Sequence, residues 1–256
     1  MSGSIQSLIR DLHRRRGRER RNLTLIEGVR LIEEALAAGM TFRGAAVAPN
    51  LEGTPRGAAL KSALESRAVP LVGVSDKELA NLADTEHPQG VVAVIEPRQW
   101  TLDDVRAEPG RPVLVLDRVQ DPGNVGTMVR TAFGLGAAGV IALKGTAELS
   151  APKVMRGSMG ASFRLPAASA DVQAFVEWHR VSGGALWLAD AAGEPVGGMK
   201  AAGAITIVIG NEGAGIDPAL GVLAHRRVAI PLVGPAESLN AAVTAGILLY
   251  EVIRGA

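Results

Sequence analysis

The segment PVLVLDRV, Pro112–Val119, carries an unbroken apolar run closed by charged residues. A strand of this kind has no solvated face, so it fits the centre of a parallel sheet covered by helices on both sides. Along the rest of the chain, apolar segments alternate with helical patterns almost throughout. That alternation predicts α/β layers with largely parallel strands.

In the first half the pattern predicts a helix from about Ile5 and a second over Glu27–Ala38, stopped by Gly39. Strands are expected near Gly44–Ala48, Pro70–Val74 and Gly90–Ile95, with helices at Arg56–Arg67 and Asp76–Leu82. The stretch EPRQWTLDDVRAEPGRP then breaks the pattern with three prolines and several charges, which places a domain boundary near residue 106. Beyond Pro112–Val119, strands are expected near Val140–Leu143, Ala185–Ala189, Ile205–Ile209 and Val228–Ile230, and a last helix over Asn240–Arg254. Two domains follow, 1–106 and 107–256.

Composition narrows the chemistry. The 256 residues are 47% hydrophobic and 21% charged, enough for a real core in a soluble globular protein. Aromatics are scarce at 3%, so Val, Leu, Ile and Ala must build that core. With no cysteine, disulfides, thiol catalysis and thiolate zinc sites are excluded. His13, His87, His179 and His225 lie far apart without metal-ligand spacing, so no metal site is expected. No apolar run is long enough for a membrane span, and MSGSIQSLIR lacks a signal-peptide core, so a cytoplasmic location is expected.

A net charge of +1 conceals a basic cluster, RDLHRRRGRERR, at residues 10–21. Arg14, Arg15, Arg16, Arg18, Arg20 and Arg21 form either a solvated helix face or a phosphate-binding surface, since guanidinium binds phosphate bidentately. Residues 134–139, GLGAAG, spell a dinucleotide-binding loop but follow a predicted helix and precede a strand. That motif needs the opposite order, so these glycines read as a helix stop and turn.

Three other segments place polar residues just past the end of a strand, where ligands gather in open α/β sheets. In DRVQDPGNVGTMVRTA, Asp117–Ala132, Asn124 can cap a new helix, with Arg130 six residues on and roughly on the same side. In IVIGNEGAGI, Ile207–Ile216, three glycines let backbone approach a ligand, and a buried Glu212 would need a partner. In IPLVGPAESLNAAVTAGILLYEV, Ile230–Val252, Ser238-Leu239-Asn240 opens a helix whose free amides suit an anion. A cap with a solvated arginine, a plain turn and a serine cap are the bland alternatives.

Taken in order, the three stretches resemble the three motifs of the SpoU (TrmH-like) RNA 2′-O-ribose methyltransferases of the SPOUT superfamily. The resemblance covers about Arg111 to the C-terminus. Residues 1–105, including NLTLIEGVRLIEEAL, look like the smaller α/β RNA-binding domain that often precedes it. The resemblance implies a trefoil knot over roughly Leu186–Val252, a mainly parallel sheet and a homodimer. For the dimer, Ala241, Ala242, Ala245 and Gly246 offer a small-residue face, although packing within the chain would use them equally well.

The implied cofactor is S-adenosylmethionine, held by Leu188, Ala189, Asp190, Gly210, Asn211, Gly213, Ile230, Leu232, Ser238 and Leu239. The implied catalytic set is Arg130, Asn124, Glu212, Ser238 and Asn240, with Glu212 orienting Arg130 or Asn124. The expected substrate is structured RNA, ribosomal rather than transfer RNA. Methylation of a base, such as guanine N1, and an RNA-binding protein without catalysis remain the alternatives.

Overall fold

The computed structural model describes residues 2–200, 202–235 and 238–255. The chain begins α1 (Ser2–Leu12), α2 (Arg15–Arg21), β1 (Thr24–Glu27), α3 (Val29–Ala37), β2 (Phe42–Val47), α4 (Pro55–Ser66), β3 (Leu71–Gly73), α5 (Asp76–Ala80) and β4 (Val91–Ile95). It continues β5 (Val113–Leu116), α6 (Pro122–Leu135), β6 (Gly139–Leu143), α7 (Pro152–Ser158), β7 (Ala167–Ala170) and α8 (Val172–Ser182). The last elements are β8 (Ala185–Pro195), β9 (Ile205–Ile209), α9 (Pro218–Gly221), β10 (Arg226–Ala229) and α10 (Ala241–Arg254). Among these, α2, β1 and β7 are short elements that the hydrophobic pattern did not announce.

Two compact units result. One holds the residues up to Arg98 together with Ser150–Phe163; the other holds Gln99–Leu149 and the residues from Arg164 onward. In the first, the sheet order is β1-β4-β2-β3, with β4 antiparallel to both β1 and β2 and only β2–β3 parallel. The expectation of largely parallel strands therefore fails for this unit. Alternation reports which residues are buried but not strand direction, and the antiparallel insertion of β4 is a long-range event. Successive residues of β4 face opposite layers: Val91, Ala93 and Ile95 join Ile32, Leu60 and Leu64, while Val92 and Val94 join Ile9, Leu12 and Leu79.

The excursion 150–163 completes this unit's core. Met155 and Phe163 sit in the cluster with Ile26 and Ile32, and Thr24 Oγ1 donates to the Ser150 carbonyl. Arg18 is also interior, 7% exposed, and its Nη1 donates to the carbonyls of Leu12 and His13 at 2.9 Å each. It satisfies the orphan carbonyls at the end of α1. Arg18 thus departs from the phosphate-binding expectation, because its guanidinium is committed to the backbone.

The second unit is a six-stranded sheet in the order β10-β8-β9-β5-β6-β7, parallel at every pairing. Strand β5 lies between β6 and β9 and is fully buried, as its apolar run requires. The chain steps from β5 through β6 to β7, and β9 occupies the other side of β5, so the winding reverses between β5 and β9. Helix α6 ends at Leu135 with Gly136 as its left-handed cap, and β6 opens at Gly139, so Gly136 is the expected stop while Gly134 still lies within the helix. Helices α6 and α10 pack together. Ala241, Ala242 and Ala245 are buried, and a Cβ at Gly246 would stand 3.5 Å from Thr131 Cγ2. The small-residue face is therefore used within the chain. Val243 and Tyr250 on α10 and Phe133 on α6 are the exposed large apolar side chains of this pair.

Beneath β8, His179 on α8 is buried, stacks 5.9 Å from Phe175, and leaves Nδ1 without a hydrogen-bond partner. His225 meets it edge-on at 6.3 Å and uses Nδ1 to accept from the Leu186 amide. Burial, and then the charge of His225, push the His179 pKa below its usual value. The folded state therefore binds fewer protons than the unfolded chain below about pH 6.5. Stability is full above that pH and falls as the pH drops through it. His179→Phe, which keeps the stack, is expected to flatten the fall in thermal midpoint between pH 7 and pH 5.5; an unchanged slope would assign the effect to another group.

Candidate active site

The site is built at the carboxyl end of the parallel sheet, where β5 and β9 diverge, as open α/β sheets favour. Past β5 the chain enters α6 through Asp121, whose side chain accepts from the Asn124 amide at 2.7 Å, with Pro122 at the first helical position. Asp121, not Asn124, is the cap. The correction matters because it frees the Asn124 side chain.

Past β9, Gly210–Gly215 closes a tight turn in which Asn211 and Gly215 exchange backbone hydrogen bonds at 3.1 and 3.0 Å. A Cβ at Gly210 would come within 2.6 Å of the Gly215 carbonyl carbon, and Gly215 has φ of +67°. Asn211 Oδ1 accepts from the amides of Gly213 and Ala214, and its Nδ2 donates to the Arg118 carbonyl. Its side chain is thereby spent on shaping the loop. Glu212, expected to be buried, is exposed at the tip. A loop carrying only small residues and Glu212 has no apolar bulk to draw it inward.

Past β10, Asn240 caps α10, and its Oδ1 accepts from the amides of Ala242 and Val243 at 2.9 and 3.3 Å. Ser238 lies outside the helix and is exposed, while Leu239 is half-buried. This cap dictates the rest of the site. With Oδ1 committed to the helix, Asn240 must present Nδ2, which donates to Asn124 Oδ1 at 3.0 Å. Asn124 must then present its own Nδ2, which donates to Glu212 Oε1 at 2.9 Å. One directed chain of hydrogen bonds thus joins three loops distant in sequence, and it ends on a carboxylate, where a donor is bound most strongly.

Arg130 stands apart from this chain. Six helical residues rotate roughly 600°, which leaves the two side chains about 120° apart rather than on one side. Arg130 is exposed, with no hydrogen bond or ion pair among the described residues. Of the two expected partners of Glu212, the structure selects Asn124.

The third loop arises as a break in a ladder. Strand β10 pairs Arg227 with Leu188 and then Val228 with Glu194, so Ala189–Gly193 leave the pairing and loop out of β8. A Cβ at Gly193 would lie 2.6 Å from the Arg227 carbonyl carbon. Asp190 holds the excursion, accepting from the Ala192 amide and pairing with Arg227 Nη1 at 2.7 Å. The Ala192 amide first, and then Arg227, keep its carboxyl below the usual carboxylate range. Leu188 is fully buried, Ile230 half-buried, and Leu232 exposed beside a fully exposed Val233. Half-buried and exposed apolar side chains on glycine-rich loops fit a flat, largely apolar ligand held by backbone groups, such as the adenosine of S-adenosylmethionine. Among the described residues no group of three His, Cys, Asp or Glu could hold a metal ion, and no helix is long and apolar enough to cross a membrane.

Comparison with known proteins matches residues 111–250 to the SpoU rRNA Methylase family and residues 5–93 to the MRM3-like substrate binding domain. The chain belongs to the SpoU rRNA methylase family. It is 33% identical over 245 residues to the 23S rRNA (guanosine(2553)-2′-O)-methyltransferase RlmP of Bacillus subtilis, covering 95% of this chain and 93% of that protein. The AdoMet-bound rRNA methyltransferase of Sinorhizobium meliloti superposes with a TM-score of 0.86 and 30% identity, covering 98% of this chain and 94% of that one. The SpoU methyltransferase AviRb of Streptomyces viridochromogenes, in complex with AdoMet, gives 0.83 and 31%, with 97% of each chain covered. S-adenosylmethionine is the cofactor of this SpoU chain, in keeping with the apolar loops described above.

Sequence reasoning passed over Asp117, Arg118 and Arg227, which hold the loops rather than line them; only Asp121, directly before Pro122, carried a readable cap signature. Because Asn240 both caps and relays, its two roles separate by mutation. Asn240→Ala is expected to cost about 1 kcal/mol of stability, whereas Asn240→Asp keeps the cap and, in thermal denaturation, stays near the wild type. Equal losses for the two variants would show that Oδ1 is not the capping atom.

Proposed function

We propose that this chain methylates a ribose 2′-hydroxyl in ribosomal RNA, with S-adenosylmethionine as donor. The observation that carries the reading is the Glu212–Asn124–Asn240 chain, which assembles all three family motifs at one end of the sheet. Relatives that bear the names of 23S rRNA 2′-O-methyltransferases support the same acceptor.

When bound, the cofactor supplies a methyl group already activated by its sulfonium charge. The protein's task is the acceptor, a weak nucleophile until its proton leaves. Arg130, exposed and unpaired among the described residues, orients the target phosphate and stabilises the developing alkoxide. Asn124, Asn240 and Ser238 align the ribose with the donor. Glu212 accepts from Asn124 and so holds the end of an amide chain whose direction the Asn240 cap sets.

The first unit supplies RNA recognition and the second the chemistry. In the basic cluster, Arg20 and Arg21 pair with Asp11, and Arg15 pairs with Glu19. Arg14 and Arg16 are exposed with no ion pair among the described residues, so they contact RNA phosphates at the least cost. The protein acts in the cytoplasm as a homodimer packed through the exposed Phe133, Val243 and Tyr250, with the knot formed by Leu186–Val252. Sedimentation of a Tyr250→Glu variant as the same species as wild type would exclude that face.

Mapping 2′-O-methyl positions in ribosomal RNA with and without the protein, with analysis of the product nucleoside, tests the acceptor; a methylated base would overturn it. Arg130→Ala is expected to lower turnover by roughly a hundredfold or more, with cofactor affinity preserved in calorimetry. Retained turnover removes Arg130 from the mechanism. Neutralising Arg14 and Arg16 is expected to weaken RNA binding and to reduce its salt slope by roughly one unit per arginine. An unchanged slope would return the cluster to a solvated helix face.

A further inference from the structure

The Gly210–Gly215 loop is fastened to the end of β5 as well as to itself. Asp117, the residue after that strand, is 1% exposed. Its Oδ2 accepts from the Asp217 amide at 2.7 Å, and its two oxygens receive Arg118 Nε and Nη2 at 3.1 Å each. Arg118 takes φ of +57°, and from there its carbonyl accepts from Asn211 Nδ2 at 3.0 Å while Nη2 reaches the Gly215 carbonyl at 3.4 Å. Two successive residues therefore hold both the entry of the loop, at Asn211, and its exit, at Gly215 and Asp217. Gly145 leaves room for this arrangement, since a Cβ there would stand 2.9 Å from Arg118 Cγ.

The sheet does not need this clamp. Strands β5 and β9 are already paired from Val113–Thr206 to Leu116–Ile209, and residues 212–215 are exposed and add nothing to the core. What the clamp sets is the height of the loop tip, where Glu212 meets Asn124. We propose that Asp117 and Arg118 are positioning residues for methyl transfer, holding the Glu212 loop in register with the Asn124–Asn240 amides. The proposal rests on the methyltransferase reading above. It assigns these residues no contact with substrate.

The test compares wild type with Arg118→Ala, Arg118→Lys and Asp117→Asn. Amide hydrogen exchange is followed in the ligand-free protein, S-adenosylmethionine affinity by calorimetry, and kcat with both substrates saturating. In Arg118→Ala, exchange at Gly213, Ala214 and Asp217 is expected to accelerate at least tenfold while β5 and β9 keep their protection, and kcat is expected to fall at least tenfold. Arg118→Lys, which keeps the charge but not the fork, is expected to recover part of both losses. Asp117→Asn follows Arg118→Ala if it folds, and Arg118→Ala decides the matter if it does not.

Wild-type exchange in Arg118→Ala would overturn the proposal, as would a loosened loop with unchanged kcat. Protection lost evenly through β5 and β9 would reduce the pair to a stability role and overturn it too. Should the wild type leave ribosomal RNA unmethylated, the exchange arm still decides whether the pair holds the loop, so the two readings fail separately.

Discussion

The pairing of β5 with β9 is the constraint on which the second unit depends. Strand β5 is apolar throughout and β9 at every position but Thr206, both are buried on two faces, and their registry brings Leu116 opposite Ile209. Parallel pairing makes both strands end at the same edge, and the reversal of winding between them opens a crevice there. The Asn124 and Glu212 loops emerge on its two sides. The contact between Asn124 and Glu212 follows from that edge being shared.

Helix α10 adds direction. The first amides of a helix have no partner of their own, and Asn240 supplies one with its Oδ1. An asparagine amide has two unlike ends, so committing one end fixes the other. The orientation passes from Asn240 to Asn124 and stops at Glu212, which only accepts. A helix cap, a common device for stability, here aligns side chains from segments more than a hundred residues apart. The same end of the sheet carries the loop broken out of β8, held by Asp190 and Arg227. The first unit shows an analogous economy: Arg18 lies in a run of arginines, yet its guanidinium closes the end of α1.

Much of the fold was legible because burial leaves a period in the sequence. The run at Pro112–Val119 announced a two-sided central strand, and the stretches after β5, β9 and β10 announced loops at ligand-binding positions. Short elements such as β1 and β7 left little trace, since four residues cannot establish a period. Strand direction in the first sheet, and the recruitment of Met155 and Phe163 into that unit's core, depend on partners far along the chain.

At the site, the sequence by itself determined the family, the three motif segments and the residue types able to bind an adenosine and align a ribose. Only the tertiary structure decided which of those residues meet. It made Asp121 the cap and so released Asn124, brought Glu212 to the surface beside Asn124, and left Arg130 facing solvent. The physical reason is that a hydrogen bond is set by a few tenths of an ångström and by angle. Spacing along a chain constrains neither once the partners lie on different loops.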